Sequence, residues 1–168
     1  MIVMDETDCV IDVARFYLEF SVDESCGKCA PCRIGGRTLL NILTDISKGR
    51  AGGDLLEKID NICNAMKKAS LCGLGQTTPN PVLSVLRHFR EEFDAHVNER
   101  RCPAQKCSDL VTYRILPEKC IGCTMCARKC PVNCISGERR EPHVIDLTKC
   151  IRCGECYATC KFGAIERY

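Results

Sequence analysis

The sequence is poor in aromatic residues: it has no tryptophan, and aromatic side chains make up 5% of its 168 residues. A large aromatic core is therefore not available, and a chain of this length suits one ordinary domain or two small ones. No apolar run approaches membrane-spanning length. The net charge is +2 and the basic residues are dispersed, so no nucleic-acid-binding face is expected. We therefore expect neither a membrane nor a nucleic acid as a partner.

Motifs of catalysis and of protein targeting are also missing. The sequence shows no carboxylate pair, no Ser/His dyad and no glycine-rich phosphate loop. Its first residues include acids where a secretory signal would have a basic segment and an apolar run. We expect a protein without catalytic residues of its own, located in the cytoplasm.

Cysteine, in contrast, is abundant, with seventeen residues in the chain. Such a density would indicate disulfides in a small secreted protein. Here the cysteines fall into groups with the spacing of metal ligands, which favours a reducing compartment.

Two cysteine runs in the C-terminal third share one spacing, C-x2-C-x2-C-x3-C. This is the ligand pattern of bacterial two-cluster ferredoxins, in which the fourth cysteine of each run ligates the other cluster. Zinc sites more often combine two C-x2-C pairs, and a disulfide framework is the other alternative. The pattern predicts one [4Fe–4S] cluster on Cys120, Cys123, Cys126 and Cys160, and another on Cys150, Cys153, Cys156 and Cys130.

A third group of cysteines lies in the N-terminal half. Cys26, Cys29 and Cys32, here called the triplet, repeat the same rhythm without a fourth cysteine nearby. Cys72 is the natural fourth ligand if a helical bundle brings its Gly- and Pro-rich turn back to the triplet. The alternative is a redox C-x2-C motif or a zinc knuckle.

Apolar residues between these motifs follow helical spacing. They predict a helix near the N-terminus, a helix after Pro31, a third over the Leu55 to Met66 stripe, and one long helix from Pro81 to Val97. The predicted fold class is α+β: a small helical bundle carrying one [4Fe–4S] cluster, followed by a two-cluster bacterial ferredoxin-like domain. We assign residues 1–20 to the end of a preceding domain, 21–97 to the bundle, 98–116 to a linker with a candidate zinc site, and 117–168 to the ferredoxin domain.

Five cysteines remain outside these three groups. Three thiolates and one imidazole would complete a closed tetrahedral zinc site, and we predict Cys63, His96, Cys102 and Cys107 as its ligands. The alternative is that Cys63 is a small core residue and His96 a helix-end histidine. We expect Cys9 in the core, Cys134 packed beside a cluster, and His88 and His143 on the surface.

Three segments carry a resemblance to a known family. Residues 24–36 and 70–87 resemble the C-terminal iron–sulfur domain of the NADH-oxidising flavoprotein subunit of complex I, and residues 4–20 resemble the segment that leads into it. In that family four cysteines hold a [4Fe–4S] cluster that takes electrons from FMN. The resemblance implies this role for Cys26, Cys29, Cys32 and Cys72.

The fusion to a two-cluster ferredoxin narrows the resemblance. It is similar to the beta subunit of NAD(P)-linked, electron-bifurcating [FeFe]-hydrogenases and of related NAD-linked formate dehydrogenases. The resemblance implies a C-terminal fragment, with FMN and NAD(P) bound only in a missing N-terminal part. The implied partners are a catalytic [FeFe]-hydrogenase or formate dehydrogenase subunit, a thioredoxin-like [2Fe–2S] subunit and soluble ferredoxin. A stand-alone polyferredoxin and a zinc-rich binding module are the alternatives.

Overall fold

The chain divides after Leu110 into two units, Met1–Leu110 and Val111–Tyr168. The computed structural model describes residues 3–52 and 55–168. The segment predicted as a linker, residues 98–116, is shared between the units. Its first part is anchored in the first unit by the buried side chains of Cys102, Cys107 and Leu110, and its last residues form a strand of the second unit.

The first unit is helical. Its elements are α1 (Val10–Asp23), a π-helical turn (Pro31–Gly35), α2 (Gly36–Ser47), α3 (Leu55–Ala69), α4 (Gly73–Thr77), α5 (Asn80–His88), α6 (Arg90–Val97) and a 3-10 turn (Ser108–Leu110). No helix in the described part of the chain is both long enough and apolar enough to cross a lipid bilayer.

The core of this unit forms where the apolar face of α1 meets that of α2. Ile11 and Leu18 of α1 are fully buried, as are Leu39 and Ile46 of α2. All four belong to one apolar cluster. Because each such side chain contributes about 1.5–3 kcal/mol when buried, this contact is a main source of the unit's stability.

The long helix predicted from Pro81 to Val97 is broken at Phe89. The backbone there leaves the helical region, with φ −130° and ψ 40°, so the chain changes direction between α5 and α6. The second half then buries Phe93 and His96, each 1% exposed. The prediction of one continuous helix was wrong because the spacing of apolar residues does not record a local change of backbone angle.

The second unit consists of two short antiparallel ribbons and two short helices. Strand β1 (Tyr113–Ile115) pairs with β4 (Ile165–Arg167), so that Ile115 lies opposite Ile165. Strand β2 (Ile135–Ser136) pairs with β3 (Val144–Ile145), so that Ile135 lies opposite Ile145. Helices α7 (Met125–Lys129) and α8 (Glu155–Thr159) each start within a cysteine run.

The two halves of the second unit repeat each other at an offset of thirty residues. Cys120 corresponds to Cys150, α7 to α8, and β2 to the start of β4. Because of this repeat, a residue in one half has a counterpart in a similar environment in the other half.

Gly122 shows how closely the backbone approaches itself in this unit. It has φ +66°, and a Cβ at this position would collide with the backbone nitrogens of Arg140 and Glu141. Gly163 has φ +59° but open space around it, and its counterpart Asn133 already has φ +50°.

We predict that Gly122→Ala lowers the free energy of unfolding by more than about 3 kcal/mol. Gly163→Asn serves as the matched control and should cost less than about 1 kcal/mol, because only the backbone angle is affected there. Thermal unfolding followed by circular dichroism measures both. Equal melting temperatures for the two variants would contradict the prediction.

Candidate metal centres

One cavity in the second unit is lined by cysteines from both runs. Cys120, Cys123 and Cys126 of the first run line it together with Cys160, the last cysteine of the second run. Ile115 and Ile165, which lie opposite each other in the β1–β4 ribbon, also line this first cavity.

A second cavity mirrors the first. Cys150, Cys153 and Cys156 line it together with Cys130, the last cysteine of the first run. Ile135 and Ile145 are among its other lining residues. Each cavity thus receives three sulfurs from one run and the fourth from the other, which is the donor set that a [4Fe–4S] cubane requires.

Unpartnered polar atoms support a polar occupant. Among the described residues, three buried side-chain atoms lack a hydrogen-bond partner: Ser70 Oγ, Thr124 Oγ1 and His143 Nε2. Thr124 and His143 both line the first cavity. Ser70 and Cys32 of the triplet both lie against Gly75, because a Cβ added to this glycine would contact both residues. Because buried polar groups without a partner are rare, their position next to the cysteine groups fits sites that hold clusters.

The triplet lies at the start of the π-helical turn. Cys32 is part of this turn and is buried, whereas Cys26 is exposed and Cys29 is half-buried. The turn packs tightly on α3: a Cβ on Gly35 would lie 2.7 Å from Cγ of Met66.

The turn that carries Cys72 returns to the triplet. The pKa of Cys29 is lowered, chiefly by a hydrogen bond from the backbone N–H of Leu71, the residue before Cys72. Gly75, three residues after Cys72, lies against Cβ of Cys32. The structure therefore brings the neighbourhood of the predicted fourth ligand next to the triplet.

A separate group of four side chains forms within the first unit. Cys9, His96, Cys102 and Cys107 are all buried, and their ligand atoms lie within 4.8 Å of one another. Cys9 Sγ lies 3.3 Å from His96 Nε2 and 3.7 Å from Cys107 Sγ. Zn–S bonds of about 2.3 Å in a tetrahedron place neighbouring sulfurs about 3.8 Å apart, so these distances suit one zinc ion.

The orientation of His96 also suits a metal. Its Nδ1 lies 2.7 Å from the carbonyl oxygen of Glu92, to which an N–H at this position donates. This hydrogen bond occupies Nδ1 and leaves Nε2 facing the sulfurs, where it can bind a metal once its proton is released. A histidine that binds zinc through one ring nitrogen normally donates such a hydrogen bond from the other ring nitrogen.

The side chains of this group also shift one another's pKa values. Burial lowers the pKa of His96, but hydrogen bonds with Cys102 and Cys9 outweigh burial and raise it to about 10. The pKa of Cys102 is lowered and that of Cys107 is raised, in each case chiefly through their mutual hydrogen bond. Thiolates and protons are thus shared within the group, and a divalent cation would replace those protons.

The structure corrects the predicted ligand set at one position. Three of the four predicted ligands come together, but the fourth member of the group is Cys9, which we expected only to be a core residue. Cys63 lies on α3 and in the apolar core of the first unit. Burial there raises its pKa to about 12 and keeps it a neutral thiol. Cys9 precedes α1, eighty-seven residues from His96, so no local spacing pointed to it.

The remaining predictions have mixed outcomes. His88 is exposed, as expected, but His143 is 2% exposed, so the prediction that it lies on the surface was wrong. Its ring fits against Gly137, where a Cβ would lie 2.7 Å from the ring. Cys134 is buried with its sulfur 3.4 Å from that of Cys130, at the edge of the second cavity.

Two protein families match the chain. Residues 12–96 match the NADH-ubiquinone oxidoreductase-F iron-sulfur binding region. Residues 119–164 match the 4Fe-4S dicluster domain. The first match contains the triplet and Cys72, and the second contains both cysteine runs.

Two curated relatives show how far the likeness extends. The NADP-reducing hydrogenase subunit HndC of Solidesulfovibrio fructosivorans is 52% identical over 165 residues, which cover 98% of this chain and 34% of the relative. The F subunit of the NADH-quinone oxidoreductase of Streptomyces coelicolor is 40% identical over 99 residues, which cover 59% of this chain and 22% of the relative. The chain thus spans about a third or less of the length of either relative.

A solved structure shows a similar fold. An NAD+-reducing [NiFe]-hydrogenase in the H2-reduced state matches 57% of this chain and 16% of its own, with 32% identity and a TM-score of 0.55.

Proposed function

The chain belongs to the NADH-ubiquinone oxidoreductase-F iron-sulfur family, and on that premise we propose that it is the iron–sulfur relay of a flavoprotein subunit in an NAD(P)-dependent, electron-bifurcating hydrogenase. The convergence of eight cysteines on two cavities carries this proposal, because each cavity receives the four-sulfur donor set of a cubane. A hydrogenase is favoured over a formate dehydrogenase because the relative that matches nearly the whole chain is a hydrogenase subunit. The same relative argues against a stand-alone polyferredoxin.

Three [4Fe–4S] clusters are proposed, one on the triplet with Cys72 and one in each cavity. When bound, such clusters accept and release single electrons. The chain's own residues hold the clusters by thiolates and surround the two cavities with isoleucines, which limit access of water. Backbone N–H groups also bond ligand sulfurs, at 3.4 Å from Cys134 to Cys130 and from Arg152 to Cys150. Such N–H···S bonds stabilise the reduced state because they compensate its added negative charge.

The proposed route begins at FMN and NAD(P), which we propose are bound outside this chain. Electrons would pass to the triplet cluster and on to a catalytic [FeFe]-hydrogenase subunit, with a thioredoxin-like [2Fe–2S] subunit as a further partner. The dicluster unit would exchange electrons with soluble ferredoxin. Groups of reduced cysteines suit a reducing compartment, which supports a cytoplasmic location.

We further propose that Cys9, His96, Cys102 and Cys107 hold a structural zinc ion. Four protein ligands leave no open position, so the ion would have no catalytic role. It would tie the start of α1 and the segment after α6 together within the first unit.

Metal content tests the cluster proposal. Anaerobically purified chain should contain about twelve iron, twelve sulfide and one zinc. Cys72→Ala should remove about four iron and leave the dicluster signals unchanged, because the dicluster ligands lie in the other unit. A colourless protein with zinc but no iron would overturn the proposal in favour of a zinc-binding module.

The relay itself is tested in the assembled complex. With Cys72→Ala, hydrogen-dependent reduction of NAD(P)+ should fall by at least about tenfold, because the first cluster after FMN is lost. Reduction of an artificial dye by NAD(P)H should persist, since the dye can take electrons at the flavin. Unchanged hydrogen-dependent turnover would contradict the proposed route.

The zinc ligands are tested by a matched pair of alanine variants. Cys9→Ala should lose most of the zinc and lower the melting temperature of the first unit, because three ligands remain. Cys63→Ala should keep about one zinc per chain, since its side chain only fills core space. Zinc analysis of both variants decides between the two cysteines, and loss of zinc in Cys63→Ala alone would restore the ligand set predicted from sequence.

A further inference from the structure

Thr124 combines an unfavourable backbone angle with an unsatisfied side chain. It lies between Cys123 and Met125 with φ +64°, and a β-branched residue is rarely found in this region. Such a conformation costs about 1–3 kcal/mol and is retained mainly at functional sites. Of the non-glycine residues with positive φ in the described ranges, Thr124 alone is β-branched.

The hydroxyl group of Thr124 finds no partner in the protein. Thr124 is the N-cap residue of α7, where a threonine normally accepts a hydrogen bond from a backbone N–H of the first turn. Here its side chain makes no such bond, and Oγ1 is buried without any other partner. The proton of this hydroxyl is therefore not donated to any other group of the protein.

The first cavity is the space that this donor can serve. Thr124 lines it together with four cysteines, and so does His143, whose Nε2 is likewise buried without a partner. The two unpartnered atoms differ in role, because His143 donates from Nδ1 to the carbonyl oxygen of Glu141 and so leaves a lone pair on Nε2. The hydroxyl of Thr124 is therefore the donor at this cavity, and it fits an occupant with hydrogen-bond acceptors. The sulfur atoms of a cluster are such acceptors.

The internal repeat shows that the threonine is not needed for the backbone turn. Its counterpart thirty residues later is Gly154, which has φ +77° without strain. A Cβ on Gly154 would lie 2.9 Å from the hydroxyl oxygen of Tyr113, and the counterpart of Tyr113 is His143. One half thus combines a large tyrosine with a glycine, and the other combines a smaller histidine with a threonine.

We propose that Thr124 donates a hydrogen bond from Oγ1 to a sulfur atom of the cluster in the first cavity and thereby raises the reduction potential of that cluster. The inference rests on the proposed function, because it requires a cluster on Cys120, Cys123, Cys126 and Cys160. Reduction adds negative charge that is shared by the sulfurs, so a donor stabilises the reduced form more than the oxidised form. Thr124 would affect the reduction potential through its hydrogen bond to the sulfur, without binding iron itself. It is therefore a positioning residue.

Three substitutions in the full chain separate the hydroxyl from the shape of the side chain. Thr124→Val keeps the branched shape and removes the hydroxyl, Thr124→Ser keeps the hydroxyl, and Thr124→Gly removes both the hydroxyl and the backbone strain. Each reconstituted variant is titrated with a reductant, and electron paramagnetic resonance follows the two dicluster signals. We expect one of the two midpoint potentials to move to more negative values in Thr124→Val and Thr124→Gly, and to stay near that of the unsubstituted chain in Thr124→Ser.

A spectroscopic signature provides the second readout. The reduced cluster should show coupling to a proton that exchanges in D2O, and this coupling should be absent in Thr124→Val and Thr124→Gly. If valine does not accommodate the cluster, the glycine variant gives the same comparison, since Gly154 shows that glycine fits this turn. Unchanged potentials and unchanged coupling in an iron-loaded variant would overturn the inference alone. Failure of the unsubstituted chain to bind iron in the dicluster unit would overturn the proposed function as well.

Discussion

The second unit depends on one constraint: sulfur atoms from separate parts of the chain must come together. Its strands are two or three residues long, and apart from cysteines the buried members of its apolar cluster, among the described residues, are Ile135, Ile145 and Ile165. So small a unit buries too little apolar surface to define its loops by packing alone. On the proposed function, ligation supplies the missing stabilisation, because ligands placed correctly by folding bind metal with a large free energy.

The first unit has a substantial core and uses its cysteines differently. The contact between α1 and α2 stabilises the bundle, while Cys9, His96, Cys102 and Cys107 join segments that are far apart in sequence. Residues 98–110 have no long helix or strand of their own. The group of Cys9, His96, Cys102 and Cys107, together with the buried Leu110, holds this segment in the unit. Packing and the proposed metal act on the same segments here, since Cys9, Cys102 and Cys107 also belong to the apolar cluster of the first unit.

The internal repeat of the second unit gives the two cavities a common frame with unequal surroundings. The cysteines of the two runs correspond to each other, but the pair His143 and Thr124 at the first cavity corresponds to Tyr113 and Gly154 at the second. On the proposed function, ligation would therefore be the same in both halves, while hydrogen bonding to the clusters would be free to differ. Such differences are how a protein assigns unlike potentials to clusters of the same kind.

The cysteine runs, the triplet and the helical character of the first unit followed from sequence, because ligand spacing in a loop and apolar spacing in a helix are local properties. Both family matches fall on those segments. Cys9, in contrast, joins Cys107 across ninety-eight residues, and only the packing of α1 against the bundle brings the two sulfurs together. The burial of His143 against Gly137 and the backbone angle that ends α5 at Phe89 are likewise not recorded in the spacing of residue types. Contacts between distant segments, and the backbone angles that permit them, were decided by the tertiary structure alone.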